Sequence, residues 1–120
     1  MVLIFLTIII ILFFVQSHKI FLNLSNDLNI SIILIIISHI LHVLLFSYLY
    51  FLEIDNMMGV NNKTYLDLIY YSISTYTTLG VGDIYFIGNA RLVSGVQAIV
   101  GLIMIAWSAS HIYLKIKKEA

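Results

Sequence analysis

The sequence has no cysteine and no proline. Without cysteine there is no disulfide framework, no thiolate metal site and no thiol nucleophile. Without proline, no helix has to break for want of a backbone donor. Charge is scarce too: Asp, Glu, Lys and Arg make up 10% of the chain. Six basic and six acidic residues cancel, which leaves no net field to attract nucleic acid. No close carboxylate pair, nucleophile with a base or metal-ligand constellation stands out, so neither enzymatic chemistry nor a bound cofactor is expected. No segment repeats arginine at every third position, which argues against a voltage sensor. No repeated or broken helices suggest a secondary transporter.

What the chain does have is long apolar runs. Hydrophobic residues form 62% of its 120 positions, well above the soluble average. Ser31 to Leu52 contains no Asp, Glu, Lys or Arg, and a helix of about 20 residues crosses the hydrocarbon core. His39 and His42 share a face of that helix and are expected to point at protein rather than lipid. Two histidines fall short of a metal site.

Leu92 to Tyr113 is also uncharged, between Arg91 and the trio Lys115, Lys117 and Lys118. At about 100° per residue, Ser94, Gln97, Ala98, Gly101, Ile105 and Ser108 fall within roughly 60° of Gly101. That stripe faces protein, a water-filled cavity, or both. The first apolar run, Met1 to Val15, is short alone but long enough if continued to Leu24. It lacks the basic start and small-residue cleavage site of a signal segment. An N-terminal membrane helix over residues 1–24 is therefore expected, with Lys19 snorkelling at one end and a turn over residues 23–29.

The C-terminal lysines mark a cytoplasmic end. Three spans then put the N-terminus and the stretch Glu53–Thr64 outside, in a multi-pass protein of the cell membrane. Tyr65 to Phe86 starts outside, and the span after it also starts outside. This segment must enter the membrane and return, which non-helical backbone does only when buried in protein or lining water. Tyr65 to Ser74 has helical spacing and would descend about 15 Å. Thr77 to Gly82 would return about 20 Å in extended form.

That return reads Thr77-Thr78-Leu79-Gly80-Val81-Gly82-Asp83. Glycines at 80 and 82 allow backbone angles that turn neighbouring carbonyls the same way. Carbonyls of Thr78, Leu79, Gly80 and Val81, with the Thr78 hydroxyl, would then face a cation, and Asp83 would concentrate cations at the outer mouth. A phosphate-binding loop fits less well, because an acid rather than a lysine follows the glycines. One chain supplies one wall, so a symmetric oligomer is implied.

These residues closely resemble the selectivity filter of potassium channels, usually Thr-Val-Gly-Tyr-Gly-Asp. The order of outer helix, pore helix, filter and inner helix is similar as well. Ile84-Tyr85 after the filter and Arg91-Leu92-Val93 at the start of the last helix add to the likeness, which covers roughly Ser31 to Tyr113. The chain looks like a small prokaryotic channel of the two-helix pore family with one extra N-terminal helix. The resemblance implies an all-α membrane protein whose homotetramer forms a potassium-selective pore. It implies an outer helix over 31–52, a pore helix over 65–76, a filter over 77–83, an inner helix over 91–114 and a short cytoplasmic tail over 115–120. Thr78, Leu79, Gly80, Val81 and Gly82 would form the filter, with K+ held at the first four and Asp83 at its mouth. Gly101 stands where bacterial members carry a hinge glycine; a packing role is the rival reading. Leu102, Ile105, Ala106 and Ala109 would line the cavity.

Three residues depart from the family pattern. Val81 replaces an aromatic that braces the filter against the pore helix. Ser74 replaces a carboxylate that holds the filter aspartate in some members, which implies that Asp83 lacks this partner. Phe86 replaces a frequent proline. Two alternatives therefore stand beside the potassium-selective reading: a weakly selective cation channel, and a non-conducting regulatory membrane subunit. Gating is poorly specified; His111, near the cytoplasmic end of the last helix, is expected to be an interfacial histidine.

Overall fold

The computed structural model describes residues Val2–Glu119, with side chains from Leu3 to Lys118. The expected all-α arrangement is present. Helix α1 spans Val2–Asn23, α2 Leu28–Phe51, α3 Tyr65–Tyr76 and α4 Ala90–Glu119. Segments Leu3–Asn23, Leu28–Phe51 and Ala90–Lys118 are long and apolar enough to cross a membrane. The 12-residue α3 is not; at 1.5 Å per residue it reaches about halfway through the hydrocarbon.

Local chemistry sets the helix starts. Asp27 accepts from the amides of Asn29 (2.8 Å) and Ile30 (3.1 Å), so α2 begins at Leu28, three residues before the uncharged run. Thr64 and Asp67 form a reciprocal capping box that starts α3. The last helix does not stop at residue 114. It continues through the expected tail to Glu119, because nothing after Gly101 breaks a helix and lysines suit its negative end. Lys115 Nζ in turn donates to the Ser25 carbonyl and to Ser31 Oγ, which ties α4 to the α1–α2 turn.

A two-stranded antiparallel ladder closes the outer end. Strand β1 (Met57–Met58) pairs with β2 (Tyr85–Phe86), with Met57 opposite Phe86 and Met58 opposite Tyr85. The core beneath it gathers Phe46, Leu49 and Tyr50 of α2, Met57, Leu68 of α3, Ile84 and Phe86, and Ala90 and Val93 of α4. Both ends of the re-entrant segment are thus anchored in one apolar cluster. Phe86, in the place of the frequent proline, is 2% exposed and its ring lies 5.0 Å from Tyr50 and 4.9 Å from Tyr71. Many large apolar side chains on α1, α2 and α4 face outward, among them Phe5, Leu12, Ile33, Leu92 and Ile99, as expected of helices that meet lipid or other subunits.

Candidate functional site: a re-entrant loop with free carbonyls

The pore helix is held by hydrogen bonds to both long helices beside it. Ser72 Oγ donates to the Val43 carbonyl of α2 (2.8 Å) and accepts from Gln97 Nε2 of α4 (2.8 Å). Gln97 Oε1 accepts from Tyr50 OH (2.7 Å). Tyr71 OH lies 2.7 Å from Ser94 Oγ, whose own hydrogen goes to the Ala90 carbonyl (2.9 Å). Each of these polar groups finds a partner, as a low-dielectric interior favours. The polar stripe of the last helix therefore faces protein at Ser94, Gln97, Gly101 and Ser108, while Ile105 is exposed.

Gly101 marks the closest approach. A Cβ there would stand 2.1 Å from the Tyr76 carbonyl oxygen and 2.8 Å from the Tyr76 ring. The end of α3 rests directly on α4 at this point, and α4 runs through it as one continuous helix. This contact is what a packing glycine provides.

Beyond Tyr76 the chain is not simply extended. Thr78 (φ 59°), Gly80 (φ 59°) and Gly82 (φ 83°) are left-handed, whereas no positive φ occurs at 79, 81 or 83. Backbone that alternates hand turns successive carbonyls toward one side. The spacing is regular: a Cβ on Gly80 would meet the Thr78 oxygen at 3.9 Å, and one on Gly82 would meet the Gly80 oxygen at 3.9 Å. Thr78 is the sole non-glycine with positive φ among the described residues. A β-branched residue held there stores about 1–3 kcal/mol of strain. Nothing in a threonine's chemistry announces that conformation, and sequence reasoning assigned it only to the glycines.

Four amides of this segment have partners. Thr77 N donates to Ile73 O (2.9 Å), Thr78 N to Thr75 O (3.1 Å) and Gly80 N to Ser74 O (3.3 Å). Val81 N reaches Ser74 Oγ at 3.4 Å. Its carbonyls do not: among the described residues, none from 78 to 82 accepts an intrachain hydrogen bond. Residues Thr77 to Asp83 are all exposed in the single chain. A row of unpaired carbonyls at membrane depth demands another partner.

The expectation that Asp83 lacks a pore-helix partner is overturned. Tyr70 OH lies 3.2 Å from both Asp83 carboxylate oxygens and donates its one hydrogen between them. Asp83 Oδ1 also accepts from the Ile84 amide (2.9 Å). Loss of surrounding water, the hydrogen bond to Asp83 and that carboxylate's charge all push the Tyr70 phenol above its ordinary value of 10.0. The phenol therefore stays the donor. A tyrosine one turn before Ser74 does the work that a carboxylate at 74 would do, a swap that spacing alone does not reveal. Gly59 was missed as well. It has φ 99°, and a Cβ there would stand 2.0 Å from the Asp83 carbonyl oxygen.

Leu102, Ile105, Ala106 and Ala109 are exposed on one side of α4 in the single chain. Among the described residues, no group of three or more His, Asp or Glu side chains is placed to hold a metal ion. What the site offers is unpaired backbone oxygens rather than a cluster of side-chain ligands.

A family model described as an ion channel matches residues 30–117. No curated protein and no solved structure matches the chain. The family match spans α2, the re-entrant segment and nearly all of α4, which is most of the chain and all of the site. It is a family of channels and not of enzymes, and the chain belongs to it as a multi-pass membrane protein.

Proposed function

We propose that the chain is one subunit of a homotetrameric, potassium-selective channel of the cell membrane. The observation that carries this reading is the alternating backbone at Thr78, Gly80 and Gly82 with its unpaired carbonyls. Four copies around an axis would set these carbonyls in stacked rings that replace the hydration shell of K+. Thr78, Leu79, Gly80 and Val81 supply the oxygens, Gly82 ends the strip, and Asp83 draws cations to the outer mouth. Leu102, Ile105, Ala106 and Ala109 face the inner cavity, since they are exposed and share one side of α4. K+ is the permeant ion, and conduction requires no cofactor.

One observation favours the weakly selective alternative. The Val81 side chain is 55% exposed, and the filter's hold on α3 at this level is the long 3.4 Å bond from Val81 N to Ser74 Oγ. A loosely held filter discriminates less between K+ and Na+. Purified chain in liposomes decides among the readings. Tetramers that pass K+ in preference to Na+ support selectivity, and equal permeability supports the weakly selective pore. Tetramers that pass neither ion would leave the non-conducting subunit. Flux should vanish in Gly80→Ala, whose added Cβ opposes φ 59°.

A further inference from the structure

Four helices meet at a buried hydrogen-bonded chain that the filter itself does not use. His18 of α1 places Nδ1 2.7 Å from Ser38 Oγ and Nε2 3.1 Å from Ser108 Oγ. Ser108, on α4, lies 3.0 Å from His39 Nε2 of α2. His39 Nδ1 then meets Tyr76 OH at 2.5 Å, and Tyr76 is the last residue of the pore helix. His18, Ser38 and Ser108 are buried.

Proton counting fixes the direction of this chain. Ser108 has one hydrogen, and it goes to the Met104 carbonyl at 2.9 Å. Its oxygen must then accept from both histidines, so His18 and His39 each carry their hydrogen on Nε2. Each Nδ1 is left as an acceptor, filled by Ser38 OH in one case and Tyr76 OH in the other. Every hydrogen is used once, and all members are neutral. The other titratable or polar rings around it are His42 of α2, 4.5 Å from the Tyr76 ring between centroids, Trp107 of α4, 5.4 Å from His18, and His111, one turn further along α4. Among the described residues no carboxylate or lysine bonds to His18, His39, Ser108 or Tyr76; Lys115 and Lys118 lie near His111.

Tyr76 is gripped at two points: its carbonyl by the missing side chain of Gly101, and its hydroxyl by His39. The two residues that follow it, Thr77 and Thr78, begin the filter. We infer that His39 is a positioning residue for ion conduction, and that the His18–Ser108–His39–Tyr76 chain lets the N-terminal helix α1 hold the inner end of the filter. The extra helix is then part of the conducting machinery rather than a membrane anchor. Loss of the His39 bond frees the Tyr76 hydroxyl, and loss of the Ser108 or His18 links loosens the His39 ring that holds it; either lets the Thr78 carbonyl drift from its ring. This inference rests on the channel reading above.

The test is flux of the full chain reconstituted in liposomes, with tetramer content and thermal midpoint measured in parallel. His39→Leu should lower K+ flux roughly tenfold, the scale of one lost buried hydrogen bond, and should also reduce the preference for K+ over Na+. His39→Gln keeps one donor and one acceptor and should restore most of both. A purely structural histidine would lower the midpoint in both variants without moving the ion preference, which would overturn the inference. If His39→Leu does not assemble, Ser108→Ala and Tyr76→Phe, alone and together, give the same information. Coupled residues make the double variant no worse than the worse single one, whereas effects that multiply would overturn the inference. A parent chain that passes no ions would instead overturn the channel reading, which keeps the two failures distinct.

Discussion

Gly59 lies against the backbone of Asp83, so close that a Cβ on Gly59 would stand 2.0 Å from the Asp83 carbonyl oxygen and 3.0 Å from its carbon. The two residues lie at the same end of the β1–β2 ladder, Gly59 just after β1 and Asp83 just before β2, where the segment before the pore helix meets the segment that follows Thr77–Gly82. Gly59 thus fixes where the backbone of Asp83 sits at the end of the Thr77–Asp83 loop. Gly59→Ala cannot be relieved by moving a flexible side chain, because the obstacle is backbone. It also opposes φ 99°. The substitution should cost roughly 2–5 kcal/mol and lower the tetramer's thermal midpoint along with flux. A variant with parental midpoint and flux would show that this contact is not made in the membrane.

The two glycines of α4 should respond in opposite ways. A Cβ on Gly101 would stand 2.1 Å from the Tyr76 oxygen, whereas one on Gly95 meets nothing within 4 Å. Gly101→Ala must push α3 away from α4 and should destabilise by about 1–3 kcal/mol. Gly95→Ala should gain up to about 1 kcal/mol from helix propensity alone, provided no neighbouring subunit packs on that face. Thermal midpoints of the two variants, measured in one detergent, check the contrast. Similar shifts would remove the packing role given to Gly101.

Tyr70 and Asp83 predict a pH response. The phenol is raised above its ordinary value, first by lost hydration and then by the hydrogen bond and charge of Asp83. A tyrosine raised in the folded state contributes stability that is complete below the ordinary value, near 10.0, and is lost as pH rises through the folded value. Flux should therefore hold steady from neutral pH to about pH 10 and fall only above it. Tyr70→Phe removes the donor, leaves Asp83 held by the Ile84 amide alone, and should reduce K+ preference at every pH. A Tyr70→Phe channel with parental ion preference would show that the carboxylate needs no phenolic brace.

How much of this was legible beforehand depended on range. The spans over α2 and α4 came from uncharged runs, and the re-entrant segment from topology and length. These are local or additive properties, so a single sequence carries them. The capping by Asp27 and Thr64 is also local, but it moves helix starts by only a few residues. The contacts that shape the site are not local. Gly59 meets Asp83 across the whole pore helix, Tyr70 reaches Asp83 around the filter, and His18 reaches His39 through Ser108 of α4. No periodicity encodes such pairs. His42 shows the same limit from the other side. It was expected to face protein and it does, fully buried among Phe14, Phe46 and Tyr76. Yet neither of its ring nitrogens has a hydrogen-bond partner among the described residues.

Val81 offers the sharpest test of what limits selectivity. The usual aromatic at this position braces the filter by a hydrogen bond to the pore helix. Here Val81 contributes only its amide, to Ser74 Oγ, while Tyr71 OH on α3 donates to Ser94 Oγ at 2.7 Å and keeps its oxygen as an acceptor. The position has room, since the valine side chain is more than half exposed in the single chain. Val81→Tyr would bring a phenol hydrogen to offer an acceptor on α3, such as the Tyr71 oxygen. One added hydrogen bond contributes about 1 kcal/mol, enough to shift a permeability ratio several-fold. Val81→Tyr should therefore raise K+ over Na+ preference, and Val81→Phe, which fills the space without the hydroxyl, should raise it less. Reversal potentials in mixed K+ and Na+ measure both. If tyrosine and phenylalanine shift the ratio equally, packing rather than the missing hydrogen bond sets the selectivity of this filter.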